Sequence, residues 1–85
     1  MKITFKSTDR WFIEVDQYGN HTLCETTVSE SGKERIKYHG HYSSVIRAVQ
    51  TLSRLNVLKQ FEVLEVMEYM DKLNSEYNRL MKETE

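Results

Sequence analysis

Proline is absent from this sequence and cysteine occurs once, at Cys24. A single thiol cannot form a disulfide within one chain, so the economical expectation is a reducing, cytoplasmic setting. No apolar run approaches the ~20 residues that a membrane-spanning helix needs. The opening Met1-Lys2-Ile3-Thr4 lacks the apolar stretch of a signal peptide, so neither export nor a membrane partner is expected. Charge of one sign is lacking too. Twelve lysines and arginines against thirteen aspartates and glutamates leave a net charge of -1. That balance excludes a dominating pull toward nucleic acid or acidic lipid, while leaving room for a local patch. The three glycines, Gly19, Gly32 and Gly40, stand too far apart to cradle a phosphate.

Catalytic motifs are also missing. Cys24 has no neighbouring base or helix N-terminus to lower its pKa, and reads as a small packed residue. The carboxylates are scattered, and Glu14 and Asp16 share a strand face without a pocket to make them an acid–base pair. The serines cluster at turns and caps, where local hydrogen bonding accounts for them. Neither an enzyme nor a cofactor is expected.

What is present is a change of hydrophobic period at Tyr42-Ser43. Before it, apolar residues alternate, as in Trp11-Phe12-Ile13-Glu14-Val15; after it, they recur every three or four residues. Period two marks strands with one buried face, and a period of about 3.6 marks amphipathic helices. The expected fold is α+β: a four-stranded antiparallel meander followed by two C-terminal helices packed on one face. One domain spans 1–85, with the sheet in 1–42 and the helices in 43–85. A chain this short buries about 60–65% of its unfolded surface, so its stability margin is thin.

The expected strands are Lys2–Lys6, Arg10–Asp16, His21–Val28 and Glu34–Tyr42. Turns fall at Ser7-Thr8-Asp9, at Asp16–Asn20 and at Ser29–Lys33. Trp11, Ile13 and Val15 point toward the core, with Phe12 and Glu14 outward. On the fourth strand Ile36, Tyr38 and Tyr42 share one face, with Arg35, Lys37, His39 and His41 on the other. Ser43 or Ser44 caps the first helix, whose stripe is Val45, Ala48, Val49, Leu52 and Leu55. Asn56 suggests a break, and the second helix runs from about Leu58 or Gln60 to Lys82. Its core stripe is Val63, Val66, Met70, Leu73, Tyr77 and Leu80. Without proline the break at 56–60 is weakly marked, and one bent helix is the alternative.

Three sets of residues carry candidate functions. His21, His39 and His41 are the only histidines. If the five residues Ser29–Lys33 form the loop, His21 faces His41; a tighter Ser31-Gly32 turn sets Cys24 against His39 and Thr22 against His41. Either arrangement brings potential zinc ligands near one another, though the spacing is no metal motif. The second set lies on the uncovered sheet face: Lys2, Lys6, Arg10, Arg35 and Lys37 around Phe12. Basic groups interleaved with a stacking ring suit RNA or single-stranded DNA, against which Glu14, Asp16 and Glu25 share the face. The third set is a second apolar stripe at the start of helix two, Val57, Phe61 and Leu64, extended by the adaptable Met67 and Tyr69. A helix apolar on two sides must bury both, against its neighbour or another chain. This set favours protein binding, either to another protein or to a second copy through helix two.

The segment Lys37-Tyr38-His39-Gly40-His41-Tyr42-Ser43-Ser44-Val45-Ile46-Arg47-Ala48-Val49 resembles one kind of small phage and prophage protein. There a strand ending in glycine and aromatics leads into a helix with alanine at a fixed spacing. The short N-terminal strands and the lysine- and glutamate-rich final helix are similar as well. The resemblance implies an accessory gene of a mobile element, many of which encode stoichiometric inhibitors of host proteins. Anti-CRISPR and other anti-defence proteins are similar in size and in lacking catalytic motifs. Its implication is a protein that binds a host or defence factor in the host cytoplasm, and it carries over no functional residues.

Overall fold

The computed structural model describes residues 1–84. Four strands, β1 (Lys2–Phe5), β2 (Thr8–Val15), β3 (His21–Val28) and β4 (Glu34–Tyr42), form an antiparallel sheet in the order β1-β2-β3-β4. Two helices follow, α1 (Val45–Gln60) and α2 (Val66–Glu83). The α+β meander read from the periodicity is the fold of this chain. The first turn is shorter than expected, because Thr8 and Asp9 join β2 and leave Lys6-Ser7 to reverse the chain. At the second turn the Asp16 carboxylate accepts from the backbone N–H groups of Tyr18 and Asn20, at 2.8 and 3.0 Å.

The alternation of β2 sets Ile13 under the helices, level with Ile3 of β1 and Leu23 of β3. From α1 come Ala48, Val49 and Leu52, and from α2 Leu80; with Phe5 these close the core. Trp11, Val15, Tyr42, Leu55 and Tyr77 pack around its edge. Helix α1 lies over β3 and β4, whereas α2 packs mainly on α1 and meets the sheet chiefly at β1. That contact is at the helix end: the Lys6 N–H donates to the Glu83 carbonyl and the Ser7 hydroxyl to the Glu83 carboxylate.

Strand β4 departs from plain alternation. Next to the turn, Val28 faces Glu34, Thr26 faces Ile36 and Cys24 faces Tyr38; farther on, Leu23 faces Gly40, Thr22 faces His41 and His21 faces Tyr42. The first register is that of the five-residue loop and the second that of the tighter turn. A bulge places one extra residue, His39, between them. It inverts part of the strand relative to expectation. Ile36 and Tyr38 lie on the outer face, 48% and 61% exposed, while Lys37 and His39 turn toward the helix side and Tyr42 packs on the core.

Gly40 follows the bulge with φ of 154°, and a Cβ there would stand 2.7 Å from the Tyr42 hydroxyl. Glycine alone gives that backbone shape and leaves room for the ring. Gly40→Ala is therefore expected to cost ~1–3 kcal/mol, read as a lower urea midpoint. An unchanged midpoint would show that the tyrosine and the backbone relax freely.

The helix boundary also differs. Ser44 caps α1, its hydroxyl accepting from the Arg47 N–H at 3.4 Å. The helix runs through Asn56 to Gln60 and ends where the Phe61 N–H meets the Val57 carbonyl. Residues 61–65 connect the helices, so Val63 belongs to neither. Among the described residues no helix is long and apolar enough to cross a membrane.

Candidate functional site

The connection between the helices assembles most of the second apolar stripe. Val57 and Leu58 of α1, Phe61 and Leu64 of the connection, and Val66 and Tyr69 of α2 surround a depression of about 210 Å³. Val57 is buried, and so belongs to the interior beneath the depression rather than to a contact surface. Phe61, Leu64 and Tyr69 are half-buried along its wall, with the Lys72 ammonium 5.4 Å from the Phe61 ring. Met67 stands outside it and is exposed.

Beside this depression lies an apolar surface that the periodicity assigned to the core. Val63 is 89% exposed, Val66 75% and Met70 50%, joined by Leu58 of α1 and by Met67. On α2, Met70 lies four residues from Val66 and three from Met67, the spacing that makes neighbours on a helix, while Val63 precedes them in the connection. What is missing is something beneath them: the contacts of α2 with the sheet edge are at its far end, through Glu83. Leu80, at that end, is the buried residue of the helix. The first half of α2 thus overhangs the sheet and shows water its hydrophobic side. Its rim is acidic: Glu62, Glu65, Glu68 and Asp71 lie between Gln60 and Lys72 with no cation among them.

On the other side of Leu58 opens a cleft of about 450 Å³, floored by Trp11 and Leu55 and edged by Arg10, Lys37 and Lys59. Glu25 sits in it, buried on the helix side of the sheet. The expectation that Glu25 shares the outer face is wrong, and the alternation itself carried the signal. Leu23 is inward, so Glu25 is inward too, level with Trp11. The carboxylate is fully engaged. One oxygen takes the Arg10 Nε–H at 2.6 Å, reinforced by a second Arg10 nitrogen; the other takes His39 Nε2 at 2.9 Å. Since an ionised carboxylate only accepts, His39 Nε2 carries the proton in this contact. The His39 ring also lies 4.8 Å from that of Trp11. Burial pushes the Glu25 carboxyl upward, but the hydrogen bonds from His39 and Arg10, with their charges, outweigh it and hold its pKa below the ordinary value.

The candidate nucleic-acid residues are not assembled on one face. Lys2 lies on the outer face with its ammonium 4.2 Å from the Phe12 ring, and Phe12 is only 5% exposed, which leaves little ring to stack on a base. Arg10 is held by Glu25, and Lys37 opens on the helix-side cleft. Arg35, two residues along from Lys37, shares its side of the strand. Lys6 follows β1 in the turn. The histidines separate as well. His21 Nδ1 lies 2.9 Å from the Gly19 carbonyl, His41 Nδ1 lies 2.7 Å from the Thr22 hydroxyl, and His39 is with Glu25. Among the described residues no three histidine, cysteine or acidic side chains converge as a metal site. Cys24 is buried, and burial first, then the Glu14 charge, pushes its thiol pKa up.

Comparison of the chain with protein families, curated proteins and solved structures finds no match.

Proposed function

We propose that this protein is a non-catalytic protein-recognition domain whose contact surface is the overhanging first half of α2. The observation that carries the reading is the exposure of Val63, Val66 and Met67, each two thirds or more open to water and close together in the chain where α2 begins. Contiguous apolar surface costs solubility and recurs where proteins bind proteins. Methionine adds adaptable packing, and the half-buried Phe61 and Tyr69 supply firm neighbours. In the setting implied by the resemblance to phage proteins, the role is that of an accessory protein that inhibits or modulates a host or defence protein in the host cytoplasm.

The test uses Val66→Lys/Met70→Lys, chosen because both side chains are exposed. Phe61 and Leu64 are half-buried, and charges there would test folding as much as recognition. The double variant is expected to keep its melting behaviour, within about 0.5 kcal/mol per site. It is also expected to lose proteins that the wild type captures from a nuclease-treated bacterial extract. A folded variant that captures the same proteins overturns the reading. Capture that disappears when nuclease is added overturns it in favour of nucleic-acid binding.

A further inference from the structure

We infer that the exposed end of the helical hairpin is covered by a second copy of this chain, the acidic segment 62–71 of each copy lying in the basic cleft of the other. The inference rests on the protein-recognition reading and names its occupant. Two unsatisfied surfaces adjoin in this molecule. One is apolar with an acidic rim, Val63, Val66 and Met70 among Glu62, Glu65 and Glu68. The other has an apolar floor of Trp11 and Leu55 with a basic edge of Lys37 and Lys59. Within one copy the charges stay apart: neither the two lysines nor the rim carboxylates have an ion-pair partner among the described residues. Arg10, the cleft's third fixed cation, is already neutralised by Glu25.

Geometry favours reciprocity. Leu58 borders both the depression and the cleft and is 60% exposed. A twofold axis passing near it brings each surface onto its complement in the other copy, and a twofold interface needs this self-complementarity. Leu58 would then meet its own counterpart at the centre, with lysines and carboxylates at the rim. That is the usual division between an apolar core and a polar edge. The rim charges govern partner choice more than affinity, and they suit this chain to itself.

Sedimentation velocity over a wide concentration range tests the proposal with the full chain. The wild type is expected at twice the monomer mass, dissociating more readily as salt rises. Glu65→Lys/Glu68→Lys and Lys37→Glu/Lys59→Glu should each weaken self-association about tenfold or more, because like charges then face each other at both contacts. Mixing the two variants should restore association as a heterodimer, since both of its contacts pair opposite charges again. All of these positions are exposed, and circular dichroism checks that the variants remain folded. A dimer indifferent to either charge reversal, or a mixture that does not associate, overturns the proposal. So does a monomeric wild type. If that monomer captures a foreign protein and Val66→Lys/Met70→Lys abolishes the capture, the recognition surface stands with a different occupant. If there is neither self-association nor capture, both readings fall.

Discussion

Leu23→Ala is expected to destabilise the protein by ~3–5 kcal/mol, enough to unfold much of the population at physiological temperature. Leu23 is wholly buried at the middle of β3, under α1 and level with Ile13 on one side and Gly40 on the other. Its loss removes the transfer energy of the side chain and opens a cavity. The cavity is hard to refill, because Gly40 has no side chain to move in and Tyr42 already lies across it. A chain of 85 residues has a total stability of only about 4–13 kcal/mol at the usual margin per residue. Urea denaturation gives the measurement. A loss below about 1 kcal/mol would mean that α1 settles onto the sheet, or that the helices do not press on Leu23 as described.

The residues around Leu23 also show why the fold was legible in the sequence. Alternation in β2 and β3 and the change of period after Tyr42 are local patterns, and each survives translation into three dimensions. The outward-facing Ile36 and Tyr38 were not legible, because their orientation depends on a bulge at His39. A bulge adds one residue and inverts every position on one side of it. The glycine at 40 was its only trace in the sequence, and that glycine also fits an ordinary strand end. Two registers suggested by two loop lengths both occur, one on each side of the bulge.

The site was half legible for a different reason. Phe61, Leu64 and Tyr69 line one depression, but Phe61 and Leu64 do so from the connection between the helices and not from a stripe on helix two, and the neighbouring Val66 and Met70, read as core, are exposed. A helical stripe states which residues share a side, without stating whether anything lies beneath them. Here α2 extends past the sheet, and the length of an overhang is set by where the two helices separate. With no proline in the chain, the boundary at 61–65 had no strong marker. Glu25 shows the opposite failure. Its inward position follows from alternation with Leu23, but a carboxylate is ordinarily expected in water. It is held inside by Arg10 and His39, whose approach the sequence separations do not reveal.

Glu25→Gln is expected to cost about 1.5–3 kcal/mol at neutral pH, the range for hydrogen bonds to charged groups. The glutamine retains the shape, so the loss reports the charge rather than a cavity. Arg10 is 52% exposed and recovers hydration when its partner is neutral, which keeps the figure below that for a fully buried ion pair. His39 is 16% exposed, wedged against Trp11, and has no such recourse. The pH dependence supplies a second check. The folded Glu25 carboxyl titrates below its ordinary value of 4.5, so the unfolded chain binds the proton more readily. Its stabilisation is therefore complete above that ordinary value and is lost as pH falls through the lower, folded pKa. Wild type and Glu25→Gln should accordingly differ most near neutrality and converge in acid. A difference that persists undiminished below the folded pKa would place the effect in packing. No difference at any pH would mean that Arg10 and His39 leave the carboxylate without net gain. A loss that appears only near neutrality and fades in acid marks Glu25 as the charged tie between β2, β3 and β4 along one wall of the cleft.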